Sequence, residues 1–386
     1  MSVVGEPEEH VLNNPEGAGV AVYVHIPFCP SKCGYCDFNS YAMDGDIVER
    51  TVAAIERQIL ESELAGTPAK TVFFGGGTPT FLQSSQLERL LDAVMTAHPL
   101  SDGCEVTSEA NPGTVDAIKF GDMRHMGFNR LSLGAQSFDT SDLIQLGRVH
   151  DASQIGTAIS SARKSGFDNL NLDLMFALPG QSVRRWENNL KLALSLEPEH
   201  LSLYCLTIEP NTRYYKLNLK GMLDLPDEES QIQMYDMAAD LCSRAGYGHY
   251  EISNFARSGF ECAHNICYWK AEDYAGYGPG AVGCADDGHK RTRYVNIKHP
   301  QGYCEAVESG KSVWCEQETL DGPTQRFEKI MLGIRLSEGL LKESVSLDTG
   351  ILDVIKGRGW IEEDGTRVRL TPIGRHFCSE VALALV

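Results

Sequence analysis

From Val20 onward the chain alternates short β-prone runs with longer amphipathic stretches, and this alternation limits its fold more than any other feature. The strand candidates are 20–28, 71–74, 105–109, 130–134, 169–177 and 200–208. Between and after them lie helical candidates near 46–64, 84–97, 115–126, 152–164, 183–195 and 228–245. Gly127 and Gly166 punctuate the ends of two of these helices, where a left-handed residue is needed. Six strand–helix units in a row demand parallel strands with right-handed crossovers. Such a chain closes wholly or partly into a barrel, or it opens into a doubly wound sheet. Periodicity does not choose between these.

At 386 residues the chain suits one large domain of roughly 200–250 residues and a smaller one. Residues 1–19 carry Glu6, Glu8, Glu9 and Glu16 without Lys or Arg, which predicts a loose acidic tail rather than a signal or transit peptide. Residues 20–245 form the core of repeated units. After about residue 246 the texture turns rich in Gly, Tyr, Asn and Cys, and 246–318 is predicted to pack as a layer over the barrel mouth. In 319–386 a helix precedes two β-prone runs joined by Asp364-Gly365, a hairpin signal, and the pattern looks like a small winged-helix domain. That segment holds ten acids against nine bases, and the whole chain carries −19, so a nucleic-acid partner is not expected. Most of the twelve cysteines are scattered singly, as buried thiols in a reducing compartment are, and no apolar run reaches the ~18–20 residues that span a bilayer. The cytoplasm is the expected location.

The chemistry is concentrated after the first strand. Cys29, Cys33 and Cys36 follow the run Tyr23-Val-His-Ile-Pro-Phe28 with the spacing C-x3-C-x2-C. Three such thiols can ligate three irons of a four-iron cluster and leave the fourth open to a small molecule. A zinc site with His25 or another residue as fourth ligand is the other reading, although no second cysteine knuckle lies nearby. Gly75-Gly76-Gly77-Thr78-Pro79 closes the second strand and lacks the Lys-Ser/Thr of a phosphate loop. Three glycines let a ligand lie against backbone, whose carbonyls can accept from an ammonium group; a tight turn is the plainer reading. Polar residues then recur at successive strand ends: Glu109, Gln136, Asp173 and, in Leu146-Gly-Arg-Val-His150, Arg148. One such residue is commonly a satisfied structural group. Four on successive barrel elements point to a polar ligand in the mouth.

The cysteine run and its position after an apolar strand resemble the radical S-adenosylmethionine (SAM) superfamily. The blocks 23–38, 73–80, 129–138, 146–150, 172–181 and 250–269 resemble, in order, the oxygen-independent coproporphyrinogen oxidase family, and most of all its heme-chaperone branch. The resemblance implies an α/β fold, a partial (β/α)6 barrel with its site at the strands' carboxyl ends. It implies a [4Fe-4S] cluster on Cys29, Cys33 and Cys36. It also implies SAM held by Tyr23, Tyr35, Gly76, Gly77, Thr78, Glu109, Gln136, Arg148 and Asp173. Two features separate the branches. True oxidases place a further cysteine where this chain has Phe38, and His264-Asn-Ile-Cys-Tyr-Trp269 looks like the chaperones' heme motif. There His264 is an axial ligand, Tyr268 and Trp269 offer flat apolar area, and Cys262 or Cys267 are alternative ligands. Packing and hydrogen bonding at the barrel floor is the other reading of His264 and Trp269. Val282, where relatives carry a histidine after Gly-Pro-Gly-Ala, departs from the family pattern. Phe176-Ala177 in place of Tyr-Gly is read as a packing change.

The resemblance thus implies a protein that binds heme and delivers it to apo-hemoproteins; respiratory recipients would require peripheral membrane docking, which the acidic composition neither supports nor forbids, and a homodimer is compatible with the sequence without being read from it. The alternative function is SAM-dependent oxidative decarboxylation of coproporphyrinogen III.

Overall fold

A computed structural model describes residues 19–286 and 288–386; apart from Gly19, the expected acidic tail lies outside the described residues. Six parallel strands run side by side in chain order: β1 (Val20–Ile26), β2 (Ala69–Gly76), β3 (Leu100–Ala110), β4 (Arg130–Gln136), β5 (Leu170–Phe176) and β6 (His200–Cys205). The helices α1 (Asp46–Leu60), α2 (Ser84–Ala97) and α3 (Ala117–Met126) connect the first four strands. Then come α4 (Thr140–Leu146) and α5 (Ala152–Lys164) before β5, and α6 (Val183–Ser195) before β6. After β6 lie α7 (Arg213–Asn218) and α8 (Glu228–Arg244). This is the partial (β/α)6 barrel, and the strands' carboxyl ends share one rim.

The two faces of these strands differ in chemistry. Val22, Val24, Val72, Phe74, Val106, Leu131, Leu133, Leu172 and Leu201 join one apolar core with Val52, Ile55 and Ile59 of α1 and Leu87, Leu90 and Leu91 of α2. Each fully buried side chain of this size contributes roughly 1.5–3 kcal/mol. The alternate residues, Thr71, Glu105, Thr107, Glu109, Arg130, Ser132, Asn171, Asp173, His200 and Ser202, are polar and mostly buried. Parallel strands covered on both sides usually read as continuous apolar runs. Here the interior face is polar, and that interior is where the site is built.

Segment 246–318 does not form a layer over the mouth. β7 (Gly248–His249) and β8 (Asn254–Ala256) extend the sheet antiparallel beyond β6. The helix α9 (Ala263–Trp269) packs at the amino ends of β2 to β4, the closed end of the barrel. β9 (Tyr274–Tyr277) then pairs parallel with β1, and β10 (Val282–Asp286), β11 (Arg291–Asn296) and, after α10 (Pro300–Glu308), β12 (Trp314–Leu320) continue outward antiparallel. The physical reason is the free hydrogen-bonding edge of β1: strands cover it, whereas a layer over the mouth would leave it bare.

The chain ends in α11 (Gly322–Gly333), β13 (Leu340–Leu341), α12 (Thr349–Gly357), β14 (Ile361–Glu363), β15 (Arg367–Leu370), α13 (Pro372–His376) and α14 (Cys378–Leu385). These share a separate core around Ile330, Leu352, Val368 and Val381. The Asp364-Gly365 turn joins β14 to β15 as expected, in a sheet of order β13-β15-β14. Among the described residues no helix is long and apolar enough to cross a membrane.

Candidate functional site at the barrel mouth

The loop after β1 is folded by backbone contacts before any ligand is considered. Cys29 N–H donates to Tyr41 carbonyl (3.1 Å), and Tyr41 N–H returns to Pro27 (2.8 Å). Lys32 Nζ donates to the carbonyls of Phe38 and Ser40 at 3.2 Å each. Outside the loop, Gly34 N–H donates to Leu146 and Tyr214 N–H to Gly34 (2.9 Å), so α4 and α7 grip its tip. The three thiols stand half-buried on this frame. Burial pushes the Cys29 and Cys36 thiols up. Two donors aim at sulfur: Thr78 Oγ1 at Cys29 (3.4 Å) and Arg148 Nη1 at Cys33 (3.6 Å). Such donors favour thiolates, the form that binds iron. Arg148 Nε is buried without a partner while Nη2 donates to Gly134 carbonyl (2.8 Å). Thus the residues present fit a thiolate-held cluster.

Zinc with His25 as its fourth ligand fares worse. His25 Nδ1 is bonded to the Tyr23 hydroxyl (2.9 Å) and Nε2 to Asn39 carbonyl (2.9 Å), so neither nitrogen is free for a metal.

Beside the thiols the barrel mouth holds two carboxylates. Glu109 accepts from Gly76 N–H (3.1 Å). Burial, then the negative field of Asp173, push its pKa up to about 8. Asp173 accepts from Ser132 Oγ (2.9 Å) and Asn171 Nδ2 (2.8 Å), and burial still holds its pKa above the ordinary value. Two acids in a desolvated mouth are costly without a ligand, and a cation or hydroxyl-rich group relieves both. Gln136 ends β4 at φ 63°, with a register shift between Leu133 and Gln136; left-handed backbone at a non-glycine residue is strain of the kind that collects at sites. Tyr35 packs edge-on against Tyr214 at 6.3 Å and faces Arg148. The Tyr23 hydroxyl is spent on His25, and its ring lies on Phe73 at 6.2 Å, so it forms wall rather than a free polar contact.

The glycines answer to the protein as well as to a ligand. A Cβ on Gly76, which has φ 105°, would sit 2.3 Å from the His25 ring, and one on Gly77 would sit 2.5 Å from Phe28 carbonyl. Their missing side chains first make room for the end of β1. Ala177, the departure read as packing, adopts φ 57°, so it carries a backbone cost where glycine is relaxed. Val282 is the first residue of β10 and pairs with Val295.

The second predicted group, on α9, lies at the other end of the barrel. His264 is 1% exposed, with Nδ1 bonded to Thr71 Oγ1 (2.8 Å) and Nε2 to the Tyr268 hydroxyl (3.1 Å). It stacks on Phe73 at 5.0 Å, and burial followed by the Arg130 charge pull its pKa down to about 3. The imidazole is neutral and, with α9 in place, has no nitrogen to offer. Cys262 and Cys267 are buried thiols pushed up to about 12 by burial. Tyr268 meets Tyr274 edge-on at 4.8 Å. Trp269 lies under the Arg335 guanidinium at 5.0 Å, and its Nε1 is buried without a partner. This is the floor packing that the residues alone allowed for.

Sequence reasoning missed the groups that join these ends. Glu105 accepts from Ala263 N–H (3.1 Å), His264 N–H (3.2 Å) and Cys262 Sγ (3.5 Å), which caps α9. Arg130, 2% exposed, stands 3.8 Å from that carboxylate. Asn171 Oδ1 accepts from His200 Nδ1 (2.7 Å), His200 Nε2 accepts from the Tyr250 hydroxyl (2.8 Å), and Tyr250 accepts from Cys262 N–H (3.4 Å). The available signal was polar residues at every second strand position.

A six-strand partial barrel with three loop cysteines at its mouth defines a radical SAM protein. Residues 23–193 match the model of the Radical SAM superfamily. The chain belongs to the family of the heme chaperone HemW. It is 37% identical to "Heme chaperone HemW" of Bacillus subtilis and 36% identical to that of Escherichia coli. Both comparisons cover 94% of this chain and 97% of the relative. Among solved structures, the Escherichia coli coproporphyrinogen III oxidase HemN, described as a radical SAM enzyme, superposes with TM-score 0.81 at 22% identity, over 95% of this chain and 90% of that one. That likeness shows the fold.

Proposed function

We propose that this protein binds heme and passes it to apo-hemoproteins, and that it holds a [4Fe-4S] cluster on Cys29, Cys33 and Cys36 with SAM beside it. Family membership over nearly the whole chain is the observation that carries the heme reading. Thr78 and Arg148 would steady the cluster sulfurs, while Glu109, Asp173 and Gln136 would hold the amine, ribose or adenine of SAM against the Gly76–Gly77 backbone. Held there, the cluster would supply one-electron reduction of the SAM sulfonium. Phe38 takes the place of the oxidases' further cysteine, which favours carriage of heme over decarboxylation of coproporphyrinogen III.

In this reading heme lies against Tyr268 and Trp269, and α9 opens to release His264 as an axial ligand. Two side-chain bonds and the Glu105 cap hold that imidazole, so opening costs free energy that iron ligation must offset. Anaerobic hemin titration of the wild type and His264→Ala, followed in the Soret region, tests it. The wild type is expected to saturate at one heme per chain, and the variant to bind at least tenfold more weakly with a shifted band. Unchanged binding and spectrum in the variant would remove His264 as ligand.

A further inference from the structure

Arg335, two residues past the end of α11, carries a charge that its neighbours leave unanswered. Its guanidinium stands 5.0 Å over the ring of Trp269, the last residue of α9. Among the described residues no carboxylate lies within ion-pair distance of it. Arg335 Nε and Trp269 Nε1 are both buried without a hydrogen-bond partner, so two donors of one corner meet no acceptor. Buried donors are rarely left bare, and each such orphan calls for an explanation. The acids around the corner are committed elsewhere. Glu338 pairs with Lys270 (3.1 Å) and with Arg367 (3.8 Å). Glu251, 2% exposed, is the acid whose charge faces Arg335, and it accepts from Ser253 N–H (2.9 Å) and Asn254 Nδ2. Burial also pushes the Glu251 pKa up, which favours its neutral form over a counter-charge.

We infer that Arg335 and the Trp269 indole N–H form the seat of a heme propionate. The inference rests on the heme reading proposed for α9. A heme that offers its iron to an imidazole carries its two carboxylates at one edge of the ring, away from the metal. Trp269 follows His264 by five residues, about 7.5 Å along a helix axis. The two side chains serve different neighbours: His264 bonds Thr71 of β2, whereas Trp269 meets Arg335 beyond α11. Opening of α9 therefore frees the imidazole and bares both orphaned donors in one movement. A guanidinium presents its N–H groups as a planar fork that matches a carboxylate, and the indole adds a further donor. The cation–π contact of the closed corner is then exchanged for a charge-assisted bond, the stronger of the two. The ligand class is a tetrapyrrole with a free carboxylate edge.

Hemin and hemin dimethyl ester present the same iron and ring, but the ester has no carboxylate. Both are titrated anaerobically into the full-length wild type, Arg335→Met and Arg335→Lys in one mild-detergent buffer, followed in the Soret region. The wild type is expected to bind hemin at least about tenfold more tightly than the ester. Arg335→Met should weaken hemin by about the same factor and leave ester affinity unchanged. Its Soret position should match the wild type, because the iron ligand is untouched. Arg335→Lys, which keeps the charge and loses the fork, should restore part of the preference. Equal affinity of the wild type for the two ligands would overturn the inference, whether or not the variants fold. So would a preference for hemin that survives in Arg335→Met. Equal loss of both ligands in that variant would also overturn it and make Arg335 a packing residue of the floor. Absence of saturable hemin binding by the wild type would instead strike the heme reading on which the inference rests.

Discussion

Glu105→Ala is expected to cost about 3–5 kcal/mol in urea unfolding, the largest stability effect of any single substitution at the barrel floor. The carboxylate caps α9 through two backbone N–H groups and the Cys262 thiol, and it is the counter-charge to Arg130. Its side chain is 11% exposed and that of Arg130 2%, so solvent cannot replace it. Alanine therefore leaves a buried guanidinium whose Nε already has no hydrogen-bond partner. Removing the stranded charge as well, in Glu105→Leu with Arg130→Met, should recover more than half of the loss. The same single variant loosens the start of α9 and should speed hemin binding if His264 must be released. A destabilisation below about 1 kcal/mol would show that the ion pair and cap do not hold the floor.

Glu109→Gln should move stability and SAM binding in opposite directions. The Glu109 pKa is raised to about 8 by burial first and by Asp173 second. A raised acid favours the folded state below its unfolded value, near 4.5, and that advantage fades as pH climbs to about 8. At pH 7 the penalty amounts to about 3 kcal/mol, which glutamine removes. Without ligand, the variant is expected to be more resistant to urea than the wild type at pH 8 and no more resistant at pH 4. The SAM ammonium group, held there as proposed, would reverse the balance, since a cation nearby stabilises the carboxylate. Wild-type affinity for SAM should therefore weaken up to about tenfold per unit as pH falls below 8, and Glu109→Gln should bind weakly with a flat profile. Calorimetric titration across pH 6–9 checks both. A variant with wild-type affinity and wild-type pH dependence would place SAM away from Glu109.

What could be read in the amino acids depended on how local the signal was. The cysteine run, Asp173 within Asn171-Leu-Asp-Leu-Met175 and the Asp364-Gly365 turn are signals spanning a few residues, and they lie after β1, within β5 and between β14 and β15, the positions expected of them. Helices α4 and α7 were missed because seven and six residues give too little periodicity. Their caps, Asp139 and Thr212, were the signal available. β9 was misread for a different reason. Tyr274–Tyr277 is short and contains glycine, and only its pairing with β1, some 250 residues earlier, makes it a strand. Glu105 carried no local signal because its partners lie in α9, far along the chain. His264 allowed two readings on chemistry alone, and the folded chain displays the hydrogen-bonded, buried one.

Heme transfer tests the central proposal most directly. Heme-loaded protein is mixed with an apo-hemoprotein, and the recipient's Soret band is followed against a free-hemin control, with coproporphyrinogen III supplied to the SAM-loaded protein in parallel. Delivery of heme to the recipient, with coproporphyrinogen III left unconsumed, is the predicted result. Retention or non-specific release of heme together with decarboxylation of coproporphyrinogen III would contradict the account and make the protein an oxidase.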